Sequence, residues 1–395
     1  MRLPVLILIL WCIVNLLIDW YIFRLLRSRL KNRVASNIQL VTSSIFAIGL
    51  IAIIFLPLRH LSDNMIRILM WIILVYVSIY IPKYIFVLFD LLSRVPRLWH
   101  KKRLKYISWI GLGLGLIIFF TLWYGALVAR NRLQVKNVSV EISGLPTSFN
   151  DFKIVQISDF HLGTFGSDTR LARKVVTCIN NMQPDLIVFT GDMVNRKSSE
   201  TEPFISTLSG LKAKYGVFSV LGNHDYGHYM GLNDSTLLRQ NVEDLKKHEA
   251  SMGWTVLTDD SRNIVSDQDT LVLIGVENIG SYPFYSHGNL LKTYPDLKNN
   301  KTKILLSHDP SHWVKEIADS EYNIALTLSG HTHGMQISVF GVSPGSIRYK
   351  TLSGLYHDKS DTHQLYVNIG LGTVGFPVRI GATPEITLIT LKAKS

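Results

Sequence analysis

"NIALTLSGHTHG", Asn323 to Gly334, decides how the C-terminal two thirds of the chain folds. Its first half, Ile324 to Leu328, is an aliphatic run of the kind that forms a strand buried on both faces. Its second half sets two histidines, His331 and His333, either side of Thr332 and brackets them with Gly330 and Gly334. Glycine is entropically costly and earns its place where backbone must take positive φ or pass close to something. The same grammar recurs upstream. Asp159 and His161 follow "IVQIS", Asp192 follows "LIVFTG", Asn223, His224 and Asp225 follow "VFSVLG", and His308 follows "ILLS". In an α/β sheet ligands bind beyond the strand ends, so five such ends predict one convergent site.

Taken singly, each signal has an ordinary explanation: an Asp-x-His is more often a turn or a cap, and His308 alone is a satisfied histidine at a strand end. Taken together they form a donor set. Oxygen donors from Asp159, Asp192 and Asn223, mixed with imidazoles from His161, His308, His331 and His333 and no thiolate, suit Mn, Fe or Zn. An all-oxygen calcium site or a cysteine-rich structural zinc site would read differently. Seven ligands exceed what one ion with open positions needs, whereas two divalent ions sharing a bridging carboxylate need about that many. Paired ions suit phosphate-ester hydrolysis, because both hold phosphoryl oxygens while a hydroxide between them attacks in line. No G-x-S-x-G elbow and no P-loop competes with this reading. His224, oriented by Asp225, is the expected proton donor to the leaving group.

Around these motifs the chain from about Val135 alternates short β-rich runs with polar helical stretches. "VSVEI", "FKIVQIS", "DLIVFTGD", "YGVFSVLGNHD", "TLVLIGVE", "TKILLSHD", "NIALTLSGHTHG", "QLYVNIG" and "EITLITLK" each read as a buried strand. Asp168 to Asn181 and Asn233 to Ser251 read as helices. Tyr226, His228, His287 and His312 are surface or core polar residues on this reading. The loops Asn278 to Asn300 and Ser338 to Tyr356 carry no motif, and being near the strand ends they are where specificity is expected to reside.

The N-terminal third is of another kind. The 395 residues are 47% hydrophobic, and residues 1–130 hold 16 Lys and Arg against 3 acids, leaving 25 against 26 for 131–395. The basic balance is therefore confined to one part, and no nucleic-acid footprint is expected on the folded domain. Leu3–Phe23, Ile38–Leu58, Ile66–Phe89 and Tyr106–Ala129 are each long enough to span a bilayer. Since "RLLRSRLKNR" follows the first run and no A-x-A site appears, that run reads as a retained helix. Lys and Arg gather after the first and third helices, which places those loops in the cytoplasm and the following domain outside. Trp20, Tyr21, Trp109, Trp123 and Tyr124 fit interfacial belts. Snorkelling accounts for Asp19, Lys83 and Asp90 near span ends, and Gly111 with Gly115 forms a small-xxx-small pair. Cys12 and Cys178 are too far apart in kind to form a disulfide framework. The expected division is a four-helix transmembrane region, 1–130, and a catalytic domain, 131–395, in an α/β class.

The motifs resemble those of the calcineurin-like metallophosphoesterases. "DFH" at 159 to 161, "GDMVN" at 191 to 195, "GNHD" at 222 to 225, "SHD" at 307 to 309 and "GHTHG" at 330 to 334 come in that family's order. The tail "YVNIGLGTVGFPVRIGATPEITLITL" is similar to the YkuE-like branch, whose members are often tied to bacterial membranes. The resemblance implies a four-layer α/β/β/α sandwich. It implies one metal on Asp159, His161 and His333, a second on Asn223, His308 and His331, and Asp192 bridging them, with His224 at the substrate phosphate. Asn195 stands where many members have Asp, and Met335 where a small residue is common. The function expected is hydrolysis of a lipid or envelope phosphate ester at the outer face of a bacterial inner membrane. One alternative keeps the chemistry but faces the cytoplasm, cleaving UDP-2,3-diacylglucosamine in lipid A synthesis. Another is a non-enzymatic metal-binding sensor or assembly module, which degenerate ligands would favour, and none is missing. Oligomeric state is not legible.

Overall fold

The computed structural model describes residues 2–55, 61–231, 234–281, 286–347 and 349–394. The chain divides into two compact units, Met1–Gly125 and Ala126–Ser395.

The first unit consists of α1 (Arg2–Arg24), α2 (Arg33–Phe55), α3 (Asp63–Leu92) and most of α4 (Lys105–Leu127). All four helices are long and apolar enough to cross a membrane, as the hydropathy predicts; Leu58, the expected end of the second span, lies outside the described residues. Gly111 and Gly115 have a use within the chain. A Cβ at Gly111 would overlap Phe89, and one at Gly115 would press on Pro82 at 3.3 Å, so the pair lets α4 lie close against α3. The snorkelling expected of the charged residues is corrected. The Asp19 carboxylate is buried and accepts from Lys83 Nζ at 2.7 Å, Tyr80 Oη at 2.7 Å and Gln39 Nε2 at 2.9 Å. Asp90 is held by Arg94, Arg103, Tyr21 and Ser108. Without water a charge must be paired: Asp19 draws its partners from α2 and α3, and Asp90 from Tyr21 of α1, Ser108 of α4 and the arginines of the α3–α4 connection.

The second unit is built on two six-stranded sheets. The strands are β1 (Gln134–Ile142), β2 (Lys153–Ile157), β3 (Leu186–Phe189), β4 (Val217–Ser219), β5 (Trp254–Val256), β6 (Asp260–Ser266), β7 (Asp269–Gly275), β8 (Lys303–Leu306), β9 (Ile324–Ser329), β10 (Gly354–His357), β11 (Gln364–Val367) and β12 (Glu385–Ala393). One sheet runs β1-β12-β2-β3-β4-β5 and the other β10-β11-β9-β8-β7-β6. Within each, most neighbours are parallel, with β12 antiparallel to β2, β10 to β11 and β6 to β7. Parallel strands need both faces covered, and the period-two alternation shows how this is done. On β3, Ile187 and Phe189 face one core with α5 (Arg170–Met182), while Leu186 and Val188 face the other sheet. On β7, Leu271 and Leu273 point between the sheets, and Val272 and Ile274 point outward to Trp313 and Ile317. Short α6 (Ile205–Leu208) and α7 (Ser235–Ser251) complete the first helical layer; the single turn α8 (Leu290–Thr293) and the π-turn Trp313–Ile317 form the thinner fourth. The result is the α/β/β/α order expected. Asn233, the expected start of α7, lies outside the described residues, and Asp234 caps the helix, accepting from Thr236 and Leu237 amides.

A buried acid in this layer yields a stability test. Glu249 of α7 is fully buried, accepts from the Ser219 hydroxyl, and its Oε1 has no partner among the described residues. Burial pushes its carboxyl up from the ordinary 4.5 to about 8. Between those values the folded state keeps a proton that the unfolded state has released, so stability falls as pH rises, by about 1.4 kcal/mol per pH unit for this one group. Glu249→Gln keeps the shape and removes the titration. Thermal melts of the two proteins from pH 5 to 9 are expected to diverge, the variant becoming the more stable as pH rises.

Candidate active site

All seven candidate ligands sit just past the carboxyl ends of parallel strands, in the loops after β2, β3, β4, β8 and β9. The two sheets thus aim five loops at one place, and Asp159, His161, Asp192, Asn223, His308, His331 and His333 are all brought together and buried there. His161 Nε2 and His333 Nε2 approach to 2.9 Å, and His333 Nε2 lies 3.3 Å from Asp159 Oδ1. On the other side His331 Nδ1 lies 2.9 Å from Asn223 Oδ1 and 3.2 Å from His308 Nε2. Asp192 Oδ2 stands between, 3.6 Å from His161 Nε2 and 3.2 Å from His308 Nε2. Ligand atoms of Asp159, His161 and His333 fall within 4.8 Å of one another, as do those of Asp192, His308 and His331, and of His161, Asp192 and His224.

The backbone carries the strain of this convergence. Asp159, His161, Asp192, His331 and His333 have φ of 50°, 49°, 59°, 71° and 52°, the left-handed region that side chains avoid. Each such residue costs on the order of 1 kcal/mol, and such positions cluster at functional sites. The role expected of the two glycines is corrected in half: Gly334 has φ of 54°, but the positive φ near Gly330 belongs to His331. Gly330 is needed for approach, since a Cβ there would overlap Ser158 Oγ and the Asp159 carboxylate. Gly330→Ala is therefore expected to displace Asp159 and cost roughly 1–3 kcal/mol in a melt. Its metal content should fall with its stability; an unchanged melting temperature would show that the loop gives way freely.

Electrostatics fit a place for cations. Burial drives His161 down to about 3, His331 to about 4 and His333 well below its ordinary value, so these imidazoles are neutral. Burial pushes Asp159 up to about 7, helped by the neighbouring Asp192. Burial also opposes charge on Asp192 and His308, but their mutual attraction wins. Asp192 lies well below the usual carboxylate range and His308 is raised to about 10. His308 Nδ1 meets Thr190 O at 2.7 Å, which leaves Nε2 for the cluster. The two pairs of polar side-chain atoms at 2.9 Å, His161 Nε2 with His333 Nε2 and His331 Nδ1 with Asn223 Oδ1, form a buried donor set that a cation between them would satisfy.

His224 is half-buried at the edge of a pocket of about 240 Å³, together with Asp192, Asn223, His331, Met335 and Tyr349. Its expected partner is corrected. Asp225 does not orient the imidazole: its carboxylate accepts from the amides of Asp192, Met193, Val194 and Gly222, at 2.8 to 3.2 Å, and so fastens the loop after β3 to the loop after β4. His224 Nδ1 instead meets the main-chain oxygen of Asn195 at 2.7 Å, and its ring stacks on Tyr229 with centroids 4.0 Å apart. Tyr229 Oη also accepts from Asn223 Nδ2 at 2.9 Å. Neither contact has a sequence signal. Nor does the fully buried Arg379, which donates to the carbonyls of Ile369, Gly372 and Ala382 and reaches within 3.4 Å of His333 Nδ1. Its only trace is a lone arginine in the apolar tail "FPVRIGA". Tyr226, His228 and His287 stack on one another, and His312 joins Ser307 to Glu316; none of the four lines the pocket.

This geometry agrees with the comparisons to known proteins. Residues 1–130 match the model described as a probable calcineurin-like phosphoesterase transmembrane domain, and residues 152–335 match the calcineurin-like phosphoesterase model. YkuE of Bacillus subtilis strain 168, an uncharacterised metallophosphoesterase, is 32% identical over 284 residues, 68% of this chain and 89% of that protein. An uncharacterised metallophosphoesterase of Campylobacter jejuni is 32% identical over 266 residues, 66% of this chain and 64% of its own length. A Bos taurus transmembrane protein with a metallophosphoesterase domain is 31% identical over 273 residues, 68% of this chain and 59% of that protein. The chain belongs to the calcineurin-like metallophosphoesterases and carries their transmembrane N-terminal domain. The family uses divalent metals, and four apolar helices make this member a membrane protein.

Proposed function

We propose that the protein is a membrane-anchored two-metal phosphoesterase that hydrolyses a phosphomonoester or phosphodiester of a lipid or cell-envelope substrate. The observation that carries this reading is the burial of six nitrogen and oxygen donor side chains around a seventh, the Asp192 carboxylate, at the mouth of a pocket. Asp159, His161 and His333 would hold one divalent ion and Asn223, His308 and His331 the other, with Asp192 as the ligand common to both. The mixed imidazole and oxygen set suits Mn, Fe or Zn, and supply in the cell decides among them. Two ions bound there supply a hydroxide nucleophile near neutral pH and a clamp for phosphoryl oxygens.

The protein's own side chains do the rest. Asp225 keeps the two ligand loops in register through four amides. His224, braced by Asn195 O and the Tyr229 ring, leaves Nε2 for the pocket, where it would pass a proton to the leaving oxygen. The membrane of this proposal is a bacterial inner membrane, and the charge of the loops supports a domain on its outer side. A C-terminal alkaline phosphatase fusion should then be active, and a fluorescent protein fused there should stay dark; the reverse pattern favours the cytoplasmic reading. For substrate, the detergent-solubilised protein with added Mn is screened on phospholipids, polyprenyl phosphates, nucleotides and sugar phosphates. Turnover of a lipid phosphate is expected, and turnover confined to soluble nucleotides would remove the lipid from the proposal.

A further inference from the structure

The loop that follows the "GHTHG" ligands ends in an apolar finger that is left exposed among the described residues. Val339 and Val342 exchange amide-to-carbonyl hydrogen bonds of 2.9 and 3.0 Å, closing a two-residue hairpin turn on Phe340 and Gly341. Both turn residues are left-handed, with φ of 52° and 80°. Such turns select Asn-Gly or Gly-Gly, because a bulky side chain at positive φ is strained. Phenylalanine here is strained and also buries nothing: Phe340 is fully exposed, Ile347 is 93% exposed and Val342 68%, with Val339 and Met335 about half exposed. Five large apolar side chains projecting from one short loop form the kind of exposed patch that marks an interaction surface.

Three observations identify what covers it. The finger is tied to the site itself: the Ser343 hydroxyl donates to Gly334 O at 3.0 Å, Gly345 leaves room for Met335, and Met335 also lines the catalytic pocket. The sequence holds no acid between Glu321 and Asp358, and Arg348 and Lys350 follow the finger directly. And the domain is tethered to a bilayer, because only six residues separate the end of α4 at Leu127 from the start of β1 at Gln134, a link that stretches on the order of 20 Å. An apolar tip with basic flanks, held near a membrane, has the chemistry of an interfacial anchor for anionic lipid.

We infer that the finger formed by Val339 to Ile347 inserts Phe340, Val342 and Ile347 into the bilayer interface and thereby delivers the catalytic pocket to phosphate esters in the lipid surface. The second half of this statement rests on the phosphoesterase reading above; the insertion itself does not. The sequence around it keeps a fully exposed aromatic at a strained turn, next to metal ligands that need a rigid loop, and membrane contact gives that residue its reason.

The test has two arms on the full-length protein, with Cys12 and Cys178 replaced by serine, reconstituted in phosphatidylethanolamine and phosphatidylglycerol vesicles. In the first, Phe340→Cys carries a nitroxide, and its accessibility to oxygen and to a water-soluble nickel chelate is compared with Lys247→Cys on the exposed side of α7. Insertion predicts that the label at 340 is reached by oxygen and shielded from nickel; a label as nickel-accessible as that at 247 overturns the proposal. In the second, Phe340→Ser with Ile347→Ser is assayed on a lipid phosphate ester in the vesicle and on a soluble aryl phosphate ester. The expected result is a loss of at least about tenfold on the lipid, with the soluble ester unchanged. Equal loss on both, or no loss on either, overturns delivery from the membrane. Wild type inert on both esters defeats the phosphoesterase reading, and the delivery claim falls with it. The depth measurement then still decides insertion.

Discussion

Asp192→Asn is expected to lower turnover of a generic aryl phosphate ester on the order of a thousandfold or more, the scale on which groups acting as a catalytic unit fail when one is removed. The carboxylate is the one charge that stands between both histidine sets, 3.6 Å from His161 and 3.2 Å from His308, and it also accepts the His224 amide at 2.9 Å. Asparagine fits the same space, so the fold and the amide contact survive. What is lost is a negative charge that the surrounding histidines hold well below the ordinary carboxylate range. Circular dichroism should therefore be unchanged while kcat and metal content both fall. If neither moves, Asp192 does not join two ions and the reading of the site fails.

The second large effect concerns which ion each histidine holds. His331→Ala and His333→Ala should each leave about one ion per chain where the parent holds two, because the rings lie in different donor sets, His331 with Asn223 and His308, His333 with Asp159 and His161. Double variants tell whether the vacated positions differ. Adding His308→Ala to His331→Ala should change metal content little, since both changes fall on one ion, whereas adding it to His333→Ala should empty both positions. Equal losses in the two double variants would mean that the histidine pair chelates a single ion. Unequal losses would make the glycine-bracketed doublet, His331 and His333 either side of Thr332, a span across two positions.

The strands that carry ligands were legible because each is an aliphatic run long enough to be buried on both faces, and each ends abruptly in Asp, Asn or His. All nine strands read from the sequence occur. Three more, β5, β6 and β10, escaped notice, and all three lie at sheet edges. "WTV" and "GLYH" are too brief and "DSRNIVS" too polar to give a periodic signal. The same limit applies within the site. Residue types and strand ends predicted which side chains meet, but not what holds them. Asn195 reaches His224 through a backbone oxygen, Asp225 grips amides three decades of residues away in the loop after β3, and Arg379 comes from a tail that reads as apolar. These contacts depend on where loops cross in space, and main-chain groups carry no sequence code. The buried Asp19 was misread for a related reason: its partners, Gln39, Tyr80 and Lys83, lie on two other helices.

The central claim is that two bound divalent ions make this protein a phosphoesterase, and metal reconstitution tests it most directly. Detergent-solubilised protein is stripped with chelator, dialysed, and titrated with Mn, Fe or Zn while bound metal and hydrolysis of aryl phosphate mono- and diesters are followed together. The account predicts no turnover from the stripped protein and recovery that saturates at two ions per chain. Turnover that persists without metal, or a fully loaded protein that hydrolyses neither ester, would contradict it.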